Sequence, residues 1–341
     1  MMRGFAAQER PGRPSLHKSP QAAYLSPGME IRYKRYPRSG SPRFSILIPT
    51  WNNLPYLQLC VESLRQHSTF EHQLIIHVNE GADGTLKWVR AQELDHSFSV
   101  ENVGVCAAMN AAASLAETDY IAFFNDDMVA LPGWDAALMD VIDRLGHDRW
   151  FLSATMIEPR DTGNRCVIAP QDFGQSVAEF RQADLLRALP SLHKADWCGA
   201  TWPPNVVPKK RWDEVGGYSL EFSPGMSSDP DFSMKLWQAG VRHFQGVGAS
   251  RAYHFQAKST GKVVKNPGPE QFLAKWGMSQ GTFGKYYLRR GMPWTGPLPE
   301  AGPALPLALA KQSGRLKGWF KRMVKRVKGI RLLPWRKRRR R

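Results

Sequence analysis

The tripeptide Asn125-Asp126-Asp127 follows the apolar run Tyr120-Ile121-Ala122-Phe123-Phe124 without a break. Adjacent carboxylates of this kind can hold a hard divalent cation. Mg2+ and Mn2+ prefer oxygen ligands, and Mg2+ commonly takes only one or two carboxylates beside the phosphates of a substrate. In isolation the ordinary reading is a strand-ending turn with solvated acids. A second acidic group, Ser228-Asp229-Pro230-Asp231, lies farther along the chain, directly ahead of a helix-like stretch. Its carboxylates suit capping of that helix as well as catalysis, and a helix N-terminus stabilises the ionised form in either case.

Both groups need elements to position them. Phe44-Ser45-Ile46-Leu47-Ile48-Pro49 reads as a buried strand ended by proline, and Tyr56 to His67 as a helix with Leu57, Cys60, Val61 and Leu64 at helical spacing. Leu74 to Val78 follows as a strand, Leu86 to Gln92 as a helix and Ser97 to Val100 as a short strand. The alanine-rich stretch Val105 to Ala116 predicts a helix leading into the Tyr120 strand. This alternation is the pattern of an α/β fold with a parallel, doubly wound sheet. Such sheets present ligands from the carboxyl ends of their strands, where Asp126 and Asp127 fall. Beyond Asp127 the periodicity loosens. Trp134 to Leu145 and Asp231 to Ala239 predict helices, and Phe151 to Ile157 and Val167 to Phe173 predict strands. Residues 1–42, rich in Pro, Arg, Ser and Gly, predict a mobile basic arm, in which Ile31 to Tyr36 can add an edge strand. Residues 291–314 read as a Pro/Gly/Ala-rich linker.

Four segments follow predicted strands or precede predicted helices, so the topology brings them to one sheet edge. They are Pro49-Thr50-Trp51-Asn52-Asn53, the turn from Asn79 to Thr85 that includes Asp83, the loop from Glu101 to Asn110, and Asn125-Asp126-Asp127 itself. Each alone is an ordinary turn; their order is the signal. From about Phe44 to Asp127 the chain resembles the nucleotide-sugar half of family 2 glycosyltransferases, which have the GT-A fold, a Rossmann-like and mostly parallel sheet flanked by helices. The opening resembles Ile46-Leu47-Ile48-Pro49-Thr50-Trp51-Asn52-Asn53. The family's Asn-x-Gly-x-x-x-Ala-x-Asn stretch is matched by Asn102, Gly104, Ala108 and Asn110, and the DXD-type motif by Asn125-Asp126-Asp127. The resemblance implies a catalytic body over 43–290, with a nucleotide-binding half at about 43–130 and an acceptor half at about 131–290.

It further implies that Pro49, Thr50, Asn52, Asn79, Asp83, Asn102, Gly104 and Asn110 surround the nucleotide, that Asp126 contacts ribose or metal, and that Asp127 ligates a divalent cation (Mn or Mg) bridging the diphosphate. A late histidine closes the metal site in some members, and His254 has a suitable position. Where many members carry an acidic residue that reads the base, this chain has Asn79-Glu80 and a shorter turn, so the resemblance leaves the base unassigned. Ser228-Asp229-Pro230-Asp231-Phe232-Ser233 resembles the family's Glu-Asp-x-Asp-Leu-Ser segment, with serine in place of the Glu. That match makes Asp229 the catalytic base and Asp231 its cap or support, the reverse assignment being the alternative. Trp197-Cys198-Gly199-Ala200-Thr201-Trp202 and Gly216-Gly217-Tyr218 resemble the acceptor-side region; the two tryptophans suit either sugar stacking or the core.

The chemistry explains the parts. Transfer from a nucleoside-diphosphate sugar needs the departing diphosphate's charge stabilised, which a metal held by a carboxylate does as a Lewis acid. The acceptor hydroxyl needs one general base on the opposite face of the sugar. A metal-dependent nucleotidyltransferase would share the sheet and the acids but would need a Gly/Arg/Lys-rich phosphate loop after the first strand, and Pro49-Thr50-Trp51-Asn52-Asn53 is not one. A non-catalytic, membrane-associated protein with a degenerate transferase body is the other alternative. Similarly, Lys258-Ser259-Thr260-Gly261-Lys262 suits a diphosphate-contacting loop but lacks the full P-loop pattern.

The net charge of +17 over 341 residues resolves into charged ends. Residues 315–341 hold fourteen Lys/Arg and no acid, whereas 44–314 hold 24 Lys/Arg against 28 Asp/Glu. A nucleic-acid groove on the body is therefore not expected. Within the tail, Leu316, Trp319, Phe320, Met323, Val324, Val327 and Ile330 recur at helical spacing among lysines and arginines. This basic amphipathic helix suits an anionic membrane surface, with a partner-docking or nucleic-acid role as alternatives. With four scattered cysteines and no signal-peptide core, the expectation is a cytoplasmic enzyme, peripheral on the inner membrane face, acting on a glycan or lipid-linked acceptor in cell-surface glycan assembly, with inverting chemistry implied by the family resemblance.

Overall fold

The computed structural model describes residues 30–257 and 265–300, with a few positions between 307 and 316. The expected tail at 315–341 (apart from Leu316), the segment Lys258 to Lys262 and residues 1–29 lie outside the described residues.

The amino half forms as the sequence predicts. Strand β1 (Ile31–Lys34) is followed by β2 (Phe44–Trp51), helix α1 (Leu54–His67), β3 (Gln73–Asn79), α2 (Thr85–Ala91), β4 (Asp95–Ser99), α3 (Gly104–Ala113) and β5 (Tyr120–Phe123). The strands β4, β3, β2 and β5 are parallel neighbours, with Phe44 opposite Tyr120 and Ile75 opposite Asp95. They are buried on both faces, which is why β2 and β3 read as continuous apolar runs rather than alternating ones. The expected edge strand exists: β1 pairs antiparallel with β4, and the following backbone is tied down by Tyr36 N–H donating to Asp95 Oδ1 at 2.9 Å and by Arg38 ion-paired to Asp95 at 2.6 Å.

The second half is less regular. It comprises β6 (Met128–Ala130), α4 (Trp134–Arg144), β7 (Trp150–Ile157), α5 (Gln182–Ala188), β8 (Trp197–Cys198), β9 (Asn205–Pro208), α6 (Lys209–Val215), α7 (Ser228–Gln238), β10 (His243–His254) and α8 (Gly268–Trp276). The sheet order is β1-β4-β3-β2-β5-β9-β7-β10-β6, with β8 beside β10. Strand β9 enters antiparallel between β5 and β7, so the sheet is parallel in its amino half and mixed beyond it. Helices cover both faces. Residues of α1, α2 and α4 pack with one face, and residues of α3, α6, α7 and α8 with the other.

Three expectations need correction. Val167 to Phe173 is not a strand; it meets β7 through a single bridge, Ile157 with Ile168. Pro170, inside the run, offers no N–H to a ladder. Helix α7 begins at Ser228 rather than Asp231, because Pro230 sits in the first turn, where its missing N–H costs no helical bond. The stretch expected to open a linker at 291 is packed down: Pro293 bridges to Trp197, Leu298 is buried, and Leu298 N–H donates to Arg242 O at 2.8 Å. All four cysteines are free and buried, as expected. No helix among the described residues is long and apolar enough to cross a membrane.

Candidate active site

At the carboxyl ends of β2, β3 and β5, facing the start of α3, lies a cavity of about 410 Å3. Pro49, Thr50, Asn79, Asn102, Gly104, Asp126, Asp127 and His254 all line it. Backbone pairing delivers the acids: Phe124 N–H donates to Leu47 O at 3.0 Å, after which the chain turns out through Asn125 to Asp127. Thr50 Oγ1 donates to Asp126 Oδ2 at 2.7 Å. Burial, and then the neighbouring Asp127 charge, push the Asp126 carboxyl up to about 7, against the Thr50 hydrogen bond.

Asp127 is held from the other side by the chain leaving β10. Its carboxylate Oδ2 accepts from Ala257 N–H at 2.9 Å, and its carbonyl accepts from Phe255 N–H at 3.2 Å. His254 Nε2 lies 3.5 Å from Asp127 Oδ2, while Nδ1 faces Glu158 Oε1 at 2.8 Å. Burial alone would lower the imidazole pKa; the Asp127 and Glu158 carboxylates outweigh it and hold it at about 9.

This donor set fits a divalent cation of the Mg2+ or Mn2+ kind. One carboxylate and one imidazole nitrogen face each other, and the other imidazole nitrogen is bonded to a carboxylate, the usual arrangement behind a metal-ligating histidine. Among the described residues no group of three or more His, Cys, Asp or Glu forms a closed cage. Such a pair would leave the remaining positions to substrate phosphates and water, as Mg2+ prefers.

Several residues expected at the nucleotide do not line the cavity. Asn52, at φ +46, bonds Glu80 and Ala82 N–H at 2.9 and 2.8 Å. Asp83 accepts from Leu54 N–H at 2.8 Å, at the start of α1, and from Thr85. Asn110 is buried on α3 and clamps Tyr218: its amide donates to Tyr218 O and its oxygen accepts from Tyr218 N–H, both at 2.8 Å. Asn79 lines the cavity but also staples it, accepting from Val103 N–H at 2.9 Å.

A second cavity, of about 380 Å3, adjoins the first and shares Val105, Asn125, Pro224 and His254 with it. Asp229, in the first turn of α7, lines this cavity with Glu158, Asn164, Met156 and Trp202. Tyr218 hydroxyl donates to Asp229 Oδ1 at 2.9 Å. Burial pushes the Asp229 carboxyl up to about 6, with the Tyr218 bond opposing it. Tyr218 is fixed in turn by stacking on Phe232 at 5.0 Å and by the Asn110 clamp. Lys235 Nζ bonds the carbonyls of Val215 and Gly217, securing a turn whose glycines at 216 and 217 adopt positive φ.

Asp231 lines neither cavity. Fully buried, it accepts from Ser219 Oγ at 2.6 Å and Trp276 Nε1 at 2.8 Å and pairs with Lys275 at 2.9 Å, locking α7 to α8. It makes no side-chain cap. Trp197 is a core residue whose Nε1 donates to Thr155 Oγ1 at 2.9 Å, whereas Trp202 lines the second cavity with Arg290 against its ring at 4.3 Å.

The partition between the cavities is thin at Gly104. This residue has φ +77, a Cβ on it would stand 2.8 Å from Pro224 Cα, and Val105 N–H donates to Pro224 O at 2.9 Å. Sequence reasoning missed Glu158 and Gln256. One signal was available: Glu158 is an acid at the carboxyl end of a wholly buried strand, the same placement that draws attention to Asp126.

Residues 45–176 match the family described as Glycosyl transferase family 2. A Bacillus subtilis (strain 168) protein named "Putative glycosyltransferase EpsH" is 32% identical over 92 residues, covering 26% of this chain and 26% of that protein. Chondroitin synthase of Escherichia coli is 23% identical over 264 residues, covering 68% of this chain and 38% of that protein. The chain therefore spans well under half the length of these relatives. Among solved structures, S. aureus TarS 1-349 in complex with UDP-GlcNAc aligns over 68% of this chain and 64% of that one, at 16% identity and a TM-score of 0.48. The family match takes in β2 through β7, both adjacent aspartates and Glu158, and agrees with the expected GT-A type of α/β fold. Over residues 45–176 the chain is thus similar to Glycosyl transferase family 2.

Proposed function

We propose that this protein moves a sugar from a nucleoside-diphosphate sugar to an acceptor hydroxyl, with inversion, using Asp127 and His254 to hold a divalent cation and Asp229 as general base. The observation that carries this reading is the common wall of the two cavities: Asp126 and Asp127 line one, Asp229 lines the other, and His254 borders both. A donor seated in the first cavity would bring its anomeric carbon toward the partition, and an acceptor in the second would approach from the far side.

In this scheme Thr50, Asn79 and Asn102 frame the nucleotide, and Asp126 serves ribose or metal. When bound, the cation supplies Lewis-acid neutralisation of the departing diphosphate. Asp229 takes the acceptor hydroxyl proton as the oxygen bonds to the anomeric carbon, and the bond from that carbon to the diphosphate oxygen breaks. Attack on the face opposite the leaving group inverts the anomeric centre. Tyr218 keeps the Asp229 carboxylate aimed, and its hydrogen bond favours the ionised form that can accept the proton.

The basic tail at 315–341 supports a peripheral seat on an anionic inner membrane face, near glycan or lipid-linked acceptors of cell-surface glycan assembly. The direct test of the site is a thermal-shift screen of nucleoside diphosphates and their sugars, with and without Mn2+. Stabilisation by one nucleotide that requires Mn2+ and vanishes in Asp127→Ala is expected. Equal stabilisation without metal would sink the proposed cation site.

A further inference from the structure

Glu158 directly follows β7, is 4% exposed, and is pinned at both backbone groups: its N–H donates to Ile168 O at 3.0 Å and its carbonyl accepts from Gln171 N–H at 2.8 Å. Both carboxylate oxygens are engaged. Oε1 meets His254 Nδ1 at 2.8 Å, and Oε2 accepts from Gln256 Nε2 at 2.8 Å. Gln256, at φ +55, is gripped by Arg160, whose Nε donates to Gln256 Oε1 at 3.1 Å and whose Nη2 donates to the Gln256 carbonyl at 3.0 Å. One residue on, Ala257 N–H makes the 2.9 Å bond to Asp127 Oδ2. A single carboxylate therefore touches the imidazole directly and, through Gln256, the backbone that holds Asp127.

Burying a carboxylate is costly, and a neutral glutamine could satisfy the bond to Gln256 equally well. What glutamine cannot supply is charge on Nδ1 of the histidine, which raises the basicity of Nε2 and fixes the ring. Glu158 also lines the cavity that holds Asp229. With both oxygens bonded to protein groups, it is not arranged to take a proton from an acceptor.

We propose that Glu158 is a positioning residue for the cation pair, holding His254 with Nε2 toward Asp127 and so setting the affinity for the divalent ion rather than the rate of proton transfer. This rests on the reading of Asp127 and His254 as cation ligands. The predicted signature separates the two carboxylates of one cavity: Glu158 governs metal binding, Asp229 governs turnover.

The test is Mn2+ binding to the full-length protein, followed by electron paramagnetic resonance in the presence of the nucleoside diphosphate that best stabilises the wild type, with donor hydrolysis measured against Mn2+ concentration. Glu158→Gln should bind Mn2+ about 10–100-fold more weakly, the usual cost of losing such a partner, and should recover its kcat at saturating Mn2+. Asp229→Asn should show the reverse, keeping Mn2+ affinity and losing kcat. Glu158→Asp, which keeps the charge but shortens its reach to Nδ1, should also weaken Mn2+ binding, and it carries the test should the glutamine variant not fold. Wild-type Mn2+ affinity in either Glu158 variant overturns the proposal, as does a kcat that stays low at every Mn2+ concentration. Absence of Mn2+ binding in the unmutated protein would defeat the cation reading itself, and that result appears before any variant is made.

Discussion

The two cavities are built by different means. The first is set mainly by backbone: strand ends, the turn after β5, and the start of α3 place Thr50, Asp126 and Asp127, and single bonds from Thr50 Oγ1 and Ala257 N–H hold the two carboxylates. The second holds its acid through a relay of side chains. Asn110 on α3 clamps the Tyr218 backbone, Tyr218 stacks on Phe232, and its hydroxyl aims Asp229. Damage on the donor side should therefore appear in nucleotide and metal binding. On the acceptor side it should appear in turnover, even when the altered residue is far from the substrate.

The sharpest way to test that division is to remove one acid from each side. Asp127→Ala should cost the most, on the order of 10^4 in kcat/KM, because several kcal/mol of leaving-group stabilisation are lost at about 1.4 kcal/mol per tenfold. It should also abolish Mn2+-dependent stabilisation by nucleotide. Asp229→Asn should lower kcat by about a thousand-fold, within the range for a general base, while the thermal shift with nucleotide and Mn2+ is retained. If the asparagine variant also loses nucleotide binding, the cavities do not divide the work as described.

Asn110→Ala sharpens the comparison further. It leaves a buried carbonyl and a buried N–H of Tyr218 without their partner, a loss of about 1–3 kcal/mol for each buried group left unpaired, readable by urea denaturation. Its catalytic loss should fall on kcat, with nucleotide binding kept. Weakened nucleotide binding to a matching degree would return Asn110 to the donor side.

A milder probe uses pH. Asp229 must be ionised to accept a proton, so activity should fall as pH drops through about 6, where burial has placed its carboxyl. Tyr218→Phe removes a hydrogen bond that favours the ionised form, so the acid limb of the kcat profile should move to higher pH. A limb that stays in place would mean another group controls it. The smallest effect on chemistry is expected from deleting 315–341: donor hydrolysis should be unchanged while sedimentation with anionic vesicles is lost. Retained vesicle binding would refute the anchor.

The amino half of the fold was legible because its information is local. Strands β2 and β3 are uninterrupted apolar runs, each followed by a helix with its own periodicity, and parallel order follows from their alternation. The second half depends on distant pairing. Strand β9 is four residues long, directly follows Pro203-Pro204, and finds its place only between β5 and β7. Strand β10 contains Gly246, Gly248 and a register shift between Val247 and Arg251, features that read as loop until β7 and β6 are beside it. The site divides likewise. Asp126 and Asp127 announce themselves at a strand end, whereas Asn110 and Asp231 sit in motif positions yet are turned into the interior by partners far along the chain. Glu158 belongs to no motif, and its contact with His254 exists only because β10 runs beside β7.

Gly104 gives the molecule a fixed working distance. Because a single methyl there must displace Pro224, and with it the loop running to Asp229, the spacing of the two cavities is gauged by the absence of one carbon atom. Chemistry and spacing are thus encoded at separate positions. A larger residue at 104, strained at φ +77 and pressed on Pro224, would shift that loop while the identity of every lining side chain stayed the same.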